Sequence, residues 1–394
     1  MRLNPKLEAG RIGETVIRKM TRLAHEHGAV NLAQGLPDFD TPEAVRAAAV
    51  DAIQHGHNQY SYPFGIPELR RAVADKVHRF NQLDSVDPED IVITLGATEA
   101  ITSVLGAVAS PGDEVLFFEP FHESYVPQVR LAGLTPKTVA IDPLTGRYDG
   151  AALEAAVTPR TVAILLNTPH NPTGKIFRID ELEHIAMLAR RHDLLVLTDE
   201  IYEHITYGAA PHLSIARLPG MRERTFTINA LSKTFAATGW RVGWAICPTR
   251  YTRYLRAVHD VTVIQAPTPL QFAAVAALTL PETYYAGLAG YYRERRDLLI
   301  ETLRTAGFAC ASPEGAYYIM ADFSALAPDL NATDFTMKLL TEARVAGVPG
   351  SNFYATPGMG QRQVRFAFCK RMETLDAAAR NLEAAISAKR LESC

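Results

Sequence analysis

The sequence predicts an α/β protein in which helices cover both faces of a mostly parallel sheet, together with a smaller α+β domain. From residue 91 onward, short apolar runs alternate with helix-sized segments, as is typical of parallel strands joined by crossover helices. A chain of 394 residues is also longer than one small core usually organises. The predicted strands are residues 91–95, 114–118, 162–166, 194–198, 225–229 and 242–246.

The composition is that of an ordinary globular protein, and it excludes several classes of function. Hydrophobic residues make up 47% of the chain and charged residues 21%, with a formal net charge of −3 at pH 7. Nucleic-acid-binding proteins usually carry a clustered basic surface, so we expect no nucleic-acid partner. No stretch approaches the roughly 20 apolar residues of a membrane-spanning helix, so we expect no membrane partner.

The cysteines and histidines form no metal-binding pattern. The cysteines are widely scattered, without a CxxC pair or zinc-ligand spacing, which favours a reducing compartment. His25 with His27, and His55 with His57, have no third ligand nearby in sequence, so no metal site is predicted. Because the N-terminus lacks the apolar run of a secretory signal, we expect a soluble cytoplasmic protein.

The elements that precede the sheet follow from the spacing of apolar and turn-forming residues. Residues 14–28 show apolar positions at helical spacing, and residues 29–33 have the character of a short strand. A loop with glycine and proline follows at 34–40. Further helices are expected to begin near Pro42 and Pro67, since proline is common in the first helical turn.

The predicted boundary between the two domains lies where the alternating pattern stops. The large domain comprises residues 42–285. A long charged helix beginning near Tyr284 leads into the small domain, residues 286–394, to which residues 1–41 also contribute. Within this small domain, residues 315–320 have the character of a strand, so an α+β unit is expected.

Lys233 is the first candidate for a chemical role. It follows the β-branched run 225–229 in a turn of small residues, and Arg241 lies nearby in the sequence. Side chains that follow parallel strands are displayed at the carboxyl edge of the sheet, where open α/β folds bind ligands. A reactive amine would be useful at that edge, although a lysine taken alone is more often a solvated surface charge.

Several segments resemble the class I and II aminotransferases, which are enzymes of pyridoxal 5′-phosphate (PLP). The resemblance covers nearly the whole chain and is closest to the kynurenine, glutamine and methionine aminotransferase group. It implies fold type I, with a mostly parallel seven-stranded sheet and the same division into domains. The segments are Ser-Lys-Thr and Thr-Gly-Trp-Arg-Val-Gly within 232–243, Asp-Glu-Ile-Tyr at 199–202, Asn-Pro-Thr-Gly at 171–174 and Gln-Gly-Leu-Pro-Asp-Phe at 34–39.

PLP requires an amine for its aldehyde, an acid at its pyridine nitrogen and contacts to its ring. The resemblance implies that Lys233 forms an imine with the cofactor and moves the substrate Cα proton. It implies that Asp199 faces the pyridine nitrogen, and that Tyr202 and Asn171 contact the ring hydroxyl. Lys233, Asp199 and Tyr202 are therefore the predicted catalytic residues.

The phosphate of PLP requires hydrogen-bond donors. Ala97 and Thr98 lie where a strand gives way to a helix, and the free N–H groups and dipole of a helix N-terminus favour an anion. The resemblance adds Ser232 and Arg241 to this cofactor-binding set. It also implies a homodimer in which Tyr60 crosses to the cofactor phosphate of the neighbouring subunit.

The substrate carboxylate requires a donor of matching shape. Arginine presents a planar fork of N–H groups that suits a carboxylate, and Arg365 resembles the arginine that clamps the α-carboxylate in this family. The resemblance implies that Gly35 borders the substrate and that Asn171 contacts it. The expected partners are small molecules, an amino acid and a 2-oxo acid as substrates.

The chain departs from the usual family pattern at two positions. His122 stands where relatives usually have an aromatic ring stacked on the cofactor. An imidazole can stack, but it also titrates near neutrality and could exchange protons near C4′ of the cofactor. Ala230 stands where many relatives have a serine that binds the phosphate, although other branches of the family lack that hydroxyl too.

The predicted function is therefore amino transfer from an L-amino acid to a 2-oxo acid, by a ping-pong mechanism through a Lys233 imine. The resemblance suggests an aromatic or sulfur-bearing donor. One alternative stays open, a PLP enzyme of specialised metabolism that catalyses β- or γ-elimination, replacement or carbon–carbon bond formation through a quinonoid intermediate. A PLP-binding regulator is disfavoured because no DNA-binding segment is visible at either end.

Overall fold

The computed structural model describes residues 14–84, 86–142, 145–208 and 211–391. Its strands form a seven-stranded, a four-stranded and a two-stranded sheet. In chain order, the strands are β1 (Val30–Asn31), β2 (Ile91–Thr94), β3 (Glu114–Glu119), β4 (Thr135–Ala140), β5 (Thr161–Asn167), β6 (Leu195–Asp199), β7 (Thr225–Ala230), β8 (Gly243–Ile246), β9 (Ala309–Cys310), β10 (Tyr318–Asp322), β11 (Val345–Ala346), β12 (Val348–Pro349) and β13 (Gln363–Ala367).

The helices connect these strands and cover the faces of the large sheet. Short 3-10 and π-helical turns add to them, among them the π-helical turn Val77–Asn81. The α-helices are α1 (Val16–Glu26), α2 (Glu43–Gln54), α3 (Pro67–Lys76), α4 (Gly96–Val108), α5 (Tyr125–Leu131), α6 (Gly150–Ala156), α7 (Ile179–Arg191), α8 (Leu231–Thr234), α9 (Thr249–Val263), α10 (Thr268–Leu278), α11 (Glu282–Thr305), α12 (Ala332–Glu342) and α13 (Met372–Ser387).

The large sheet has the strand order β2-β8-β7-β6-β5-β3-β4. Strand β8 is antiparallel to both of its neighbours, and the remaining pairs are parallel. All residues of β2, β3, β6, β7 and β8 are buried, which explains why these strands occur in the sequence as continuous apolar runs. The predicted fold class, a mostly parallel seven-stranded sheet with helices, is confirmed.

Strand β4 is the member of the large sheet that the apolar runs do not reveal. It pairs only with β3 and therefore forms an edge of the sheet. Most of its residues are partly or fully exposed, and it contains Pro136 and Lys137, residues that are tolerated and even favoured on edge strands. An edge strand needs no continuous apolar sequence, because it is only partly covered.

The parallel strands bring several chain segments to one edge of the large sheet. The carboxyl ends of five strands lie at the same edge of the sheet, namely those of β2, β3, β5, β6 and β7. Ligands of open α/β folds bind at that edge. The segments that immediately follow β2, β3, β5, β6 and β7 contain Ala97, His122, Asn171, Tyr202 and Lys233, respectively. The topology thus gathers predicted site residues that lie between positions 97 and 233 of the sequence.

The smaller sheets combine the N-terminal segment with the C-terminal third. Strands β12, β13, β10 and β9 form an antiparallel sheet. Strand β1 pairs in parallel with β11, with Val30 opposite Val345, so the segment before the large sheet lies beside the C-terminal residues. None of the helices in the described part of the chain is long and apolar enough to cross a bilayer.

Candidate active site

A cavity lies at the carboxyl edge of the large sheet. It encloses about 580 Å³ of space free of atoms, part of it open to solvent. Nearly every residue predicted to bind the cofactor contributes to its lining. Those residues are Ala97, Thr98, His122, Asn171, Asp199, Tyr202, Ser232, Lys233 and Arg241.

Lys233 lies in the short helix α8, directly after β7. Its ammonium donates to the Gly35 carbonyl over 3.2 Å and lies 5.6 Å and 5.9 Å from the ring centres of Tyr317 and Tyr202. Burial lowers the pKa of Lys233 to about 8, and the nearby Arg365 adds to this effect. A free amine, which is the nucleophilic form, is therefore more accessible near neutrality than for a solvated lysine.

Asp199 ends β6 and points into the cavity. One carboxylate oxygen accepts a hydrogen bond from the Tyr125 hydroxyl over 2.7 Å, and the other accepts the Ile201 N–H over 3.4 Å. Burial raises the pKa of Asp199 to about 6, because these hydrogen bonds and the charge of Lys233 offset desolvation only in part. A cation placed in the cavity would complete the pairing of this carboxylate.

An anion cradle forms where α4 begins. Arg241 donates to the carbonyls of Leu95 and Thr238 over 3.1 Å and 2.9 Å, which holds its guanidinium against the N-terminus of the helix. Gly96 has a φ of +76°, and a Cβ there would lie 2.4 Å from Arg241 Nη2. The glycine thus permits the arginine and the free N–H groups of the first helical turn to converge on one place, as phosphate binding requires.

Asn171 provides a direct test of whether the cavity fits PLP. Its Nδ2 atom is buried without a hydrogen-bond partner, whereas its Oδ1 accepts from Arg365 over 3.1 Å. Its backbone N–H is held by Asn167 Oδ1 at 2.7 Å. A buried unpaired donor is costly, and an acceptor such as the ring oxygen of PLP would satisfy it. The cavity therefore provides the four kinds of group that PLP needs, namely the Lys233 amine, the Asp199 carboxylate, the anion cradle and the unpaired Asn171 donor.

Arg365 lies on β13 next to the cavity and is only 1% exposed. Besides Asn171 it donates to the Ala33 carbonyl over 2.8 Å, and its Nε has no partner. Its guanidinium carbon lies 4.3 Å and 4.6 Å from the ring centres of Tyr318 and Phe353. The two rings fix the plane of the Arg365 guanidinium. Its remaining N–H group stays available to a substrate carboxylate.

His122 lines the cavity, but its electrostatics differ from the expectation. Its Nδ1 accepts the Ser124 N–H at 3.3 Å and lies 2.7 Å from the Ser124 hydroxyl. Burial lowers the pKa of His122 to about 3, and the charges of Arg365 and Lys233 act in the same direction. The expectation that this imidazole titrates near neutrality is therefore wrong, because the site excludes a further positive charge.

Three predicted residues lie outside the cavity lining, namely Arg365, Gly35 and Tyr60. Gly35 contacts it through its carbonyl, which accepts from Lys233 and from the Tyr317 hydroxyl. Tyr60 is 79% exposed and borders a different surface groove, so within a single chain it does not reach the cavity. Its proposed crossing to a neighbouring subunit stays a prediction.

Sequence reasoning missed the tyrosines that support the site. Tyr125 holds Asp199, and the Tyr318 hydroxyl lies 3.1 Å from that of Tyr202. Tyr125 lies in a mixed segment at the start of α5 and Tyr318 in an apolar strand, and their partners lie 74 and 116 residues away. No local pattern could have indicated these contacts.

Comparison with known proteins agrees with this geometry. Residues 27–382 match the family model of aminotransferase class I and II. A probable N-succinyldiaminopimelate aminotransferase of Mycobacterium tuberculosis is 42% identical over 93% of this chain and 95% of its own. The methionine aminotransferase of Escherichia coli is 34% identical, over 96% and 98%, and the human kynurenine–oxoglutarate transaminase 3 is 35% identical, over 91% and 86%.

Solved structures of such relatives share the whole fold. The N-succinyldiaminopimelate aminotransferase from Mycobacterium tuberculosis superposes with a TM-score of 0.93 at 40% identity, covering 98% of this chain and all of its own. Family, fold and site chemistry therefore agree. The chain belongs to the aminotransferase class I and II family and is a PLP-dependent aminotransferase of fold type I.

Proposed function

We propose that this aminotransferase uses the cavity at the sheet edge to move an amino group from an L-amino acid to a 2-oxo acid in two half-reactions. The observation that carries the proposal is the convergence of Lys233, Asp199 and Arg241 on one cavity. When bound, PLP supplies an aldehyde that condenses with amines and a ring that accepts electrons from the substrate Cα.

The cavity residues divide the work of holding that cofactor. The Lys233 amine would hold the aldehyde, and the Asp199 carboxylate would pair with the ring nitrogen. Arg241, Ser232 and the N–H groups of Ala97 and Thr98 would hold the phosphate. This assignment gives the amine, the carboxylate and the anion cradle each a partner of opposite charge or complementary hydrogen-bonding character.

The ring hydroxyl and the substrate require further contacts. Tyr202 and Asn171 would donate to the ring oxygen, and the His122 ring would lie against the ring face. Arg365 would bind the α-carboxylate, beside Gly35. Arg365 would thus fix the carboxylate and, with it, the position of Cα. The Lys233 amine, once released from the aldehyde, would take the proton from Cα as a general base and give it up again as a general acid.

We propose an uncharged aromatic or sulfur-bearing side chain for the amino donor. Among the described residues that line the cavity, the only cationic side chains are Lys233 and Arg241, and both have a proposed role with the cofactor. A second substrate carboxylate would therefore find no counter-ion within this lining. Relatives named for methionine and kynurenine provide the corresponding substrates to test.

A half-reaction screen tests both the proposed amino transfer and the proposed class of amino donor. Purified PLP-loaded enzyme is mixed with single amino acids in the absence of a 2-oxo acid, and the visible absorbance of the cofactor is followed. We expect L-methionine and L-kynurenine to convert the cofactor to its aminated form with one equivalent of 2-oxo acid. Conversion by L-aspartate or N-succinyldiaminopimelate alone would reject the donor class, whereas no conversion by any amino acid would reject amino transfer in this cavity.

Lys233→Ala is the matched control for the screen. This variant is expected to lose the absorbance of the covalently held cofactor and roughly 10⁴-fold or more of the turnover, because one amine serves as both anchor and base. A variant that keeps its turnover would show that another residue supplies the base.

A homodimer and a cytoplasmic location complete the proposal. Tyr60, Tyr62 and Val261 are 79%, 57% and 86% exposed, and such exposed apolar side chains favour an interface between copies. If Tyr60 crosses that interface, a mixture of Lys233→Ala and Tyr60→Ala chains regains about a quarter of wild-type activity, since hybrid dimers have one intact site. The free cysteines of the described residues agree with a reducing compartment.

The division into domains also stays a proposal, with residues 42–285 as the large domain and residues 1–41 with 286–394 as the small one. The large sheet lies entirely within the first range, and the two smaller sheets lie within the second. Native-state amide exchange is expected to separate cooperative units at these boundaries.

A further inference from the structure

Tyr318 contacts three parts of the site without lining the cavity. It lies at the start of β10 and is 3% exposed. Its hydroxyl oxygen lies 3.1 Å from that of Tyr202, and its ring centre lies 4.3 Å from the guanidinium carbon of Arg365. A Cβ on Gly35 would lie 1.9 Å from the same hydroxyl oxygen. One side chain therefore links the ring-hydroxyl tyrosine, the carboxylate arginine and the glycine loop.

Either oxygen could be the donor in the hydrogen bond between the Tyr318 and Tyr202 hydroxyls, so its direction depends on where the proton of Tyr202 goes. Each phenol has one proton to donate. Tyr317 donates its proton to the Gly35 carbonyl over 3.1 Å. The Tyr318 hydroxyl lies 3.1 Å from that of Tyr202, and the proposed role of Tyr202 assigns its single proton to the cofactor ring oxygen. When Tyr318 donates to Tyr202, the proton of Tyr202 is left free for an acceptor in the cavity.

We propose that Tyr318 is a positioning residue that donates its hydroxyl proton to Tyr202, so that Tyr202 directs its own proton at the cofactor ring oxygen, while the Tyr318 ring supports Arg365. This inference rests on the proposed role of Tyr202. A phenol that accepts a hydrogen bond becomes a stronger donor, because chains of hydrogen bonds polarise one another. Tyr318 thereby strengthens a contact to the cofactor that it does not itself make.

The electrostatics of the pair keep both protons in place. Burial raises the pKa of Tyr318 to about 12, and burial together with the neighbouring Tyr318 raises the pKa of Tyr202 well above its usual value. Both phenols therefore remain protonated throughout the range in which an enzyme works. The chain of donors is present at every working pH.

Gly35 makes this arrangement possible. Because a Cβ at this position would overlap the Tyr318 hydroxyl, any other residue would push Tyr318 away from its present place. The glycine that borders the proposed substrate position is thus also coupled to the donor chain behind the cofactor. This coupling gives a second, independent way to displace the hydroxyl without removing it.

The test is a pH titration of the visible absorbance of PLP bound to the enzyme. A donor at the ring oxygen favours the form of the bound cofactor that has one proton fewer. In Tyr318→Phe the donor weakens, so the titration midpoint is expected to rise by about 0.5 to 1 pH unit. The KM for the amino acid stays within about twofold because the ring beneath Arg365 remains, whereas kcat falls roughly threefold to tenfold.

Two further variants separate the hydroxyl from the ring and from general damage. Tyr318→Leu also removes the ring, and we expect the same midpoint shift together with a roughly tenfold higher KM, since the cation–π support of Arg365 is lost. Tyr207→Phe is the matched control, because it removes another buried hydroxyl, one that donates to the Ala316 carbonyl. The control is expected to leave the midpoint unchanged.

The outcomes distinguish this inference from the proposed function. If Tyr202→Phe raises the midpoint and Tyr318→Phe does not, the donor chain is wrong while the role of Tyr202 stands. If neither variant shifts it, the role of Tyr202 at the ring oxygen is wrong. Should Tyr318→Phe fail to fold, Gly35→Ala, which displaces the hydroxyl but keeps every phenol, is expected to raise the midpoint, and an unchanged midpoint would overturn the inference.

Discussion

Two groups of buried polar side chains lie at or just after the end of β6, and they differ in how completely their carboxylates are paired. Asp199 and Tyr202 line the cavity, whereas Glu200 and Glu203 belong to a charged cluster behind it. Glu203 accepts from Lys76, Asn81 and Asn229. Glu200 accepts from Thr198 and Ser214 over 3.0 Å and 2.7 Å, and lies 3.0 Å from His212 Nε2.

The pKa values of the acids record this difference. Burial raises the pKa of Glu203, but Lys76 and its other partners overcome that effect and hold the pKa at about 2. Burial raises the pKa of Asp199 to about 6, because Tyr125 and Lys233 compensate only in part. Two equally buried carboxylates can therefore have different roles. A fully paired carboxylate stabilises the fold, whereas an incompletely paired one is available to a ligand.

The charged cluster could be mistaken for a metal site. Glu200, Glu203 and His212 present ligand atoms within 4.8 Å of one another. The Lys76 ammonium already bonds Glu203, however, and every carboxylate has hydrogen-bond donors. Neutralised carboxylates of this kind are typical of a structural network.

The largest effect is expected from breaking the charged cluster. Lys76→Met leaves Glu203 buried without its ammonium, so the free energy of unfolding should fall by about 3–5 kcal/mol, measured by urea denaturation. The kcat of the folded enzyme should change little, because Lys76 does not line the cavity. As a control, Arg22→Met removes an exposed ion pair with Glu26 and should leave stability nearly unchanged. A stable Lys76→Met protein would contradict the structural role of the cluster.

The second largest effect is expected from the cavity side. Asp199→Asn removes the charge proposed to pair with the ring nitrogen, and kcat/KM should fall by roughly 10²–10³-fold. Since the carboxylate is desolvated and incompletely paired, the cofactor-free variant should be no less stable than the wild type. Steady-state kinetics and thermal denaturation of the same preparation check both statements. If Asp199→Asn lost stability but kept its activity, Asp199 would be a structural carboxylate like Glu203 and not one that serves a ligand.

A third, smaller effect concerns the cofactor-free protein. Burial lowers the pKa of Lys233 to about 8 from a usual value near 10.5, so the stability that the free amine contributes is present above pH 10.5 and is lost as the pH falls to 8. Lys233→Met should therefore be more stable than the wild type by about 3 kcal/mol at neutral pH, with a difference that shrinks toward pH 10.5. Denaturation curves across this range measure it. Adding PLP to the wild type should remove the deficit, and a pH-independent difference would argue against a buried ammonium.

The smallest effect is expected at His122. Because burial lowers its pKa to about 3, the imidazole is neutral at working pH, and we expect it to act as a ring platform for the cofactor. His122→Phe should change kcat/KM by less than about tenfold and leave the shape of its pH profile unaltered. Ratios of amino transfer to other products, measured in the same assay, should also stay constant. A changed product ratio would show that the histidine moves a proton.

Local sequence was sufficient for the residues that follow the strands. Asp199 ends the buried strand β6, and Asn171 and Lys233 follow β5 and β7 within four residues, so a parallel sheet places all three at one edge. The edge strand β4 shows where this reasoning fails, because half-exposed residues with a proline and a lysine resemble a loop. The positions of the buried strands were predictable to within a residue or two. Their exact ends depend on hydrogen bonds to neighbouring strands, which the local sequence does not show.

By itself, the sequence predicted the fold class, because turn residues and apolar periodicity act over a few neighbouring positions, and its resemblance to the aminotransferases implied the cofactor and most of the residues that would hold it. Only the tertiary structure decided that Tyr125 supports Asp199, that Tyr318 stands behind Tyr202 and that His122 stays neutral. These properties depend on burial and on partners distant in the chain, and desolvation has no counterpart in a linear pattern of residues.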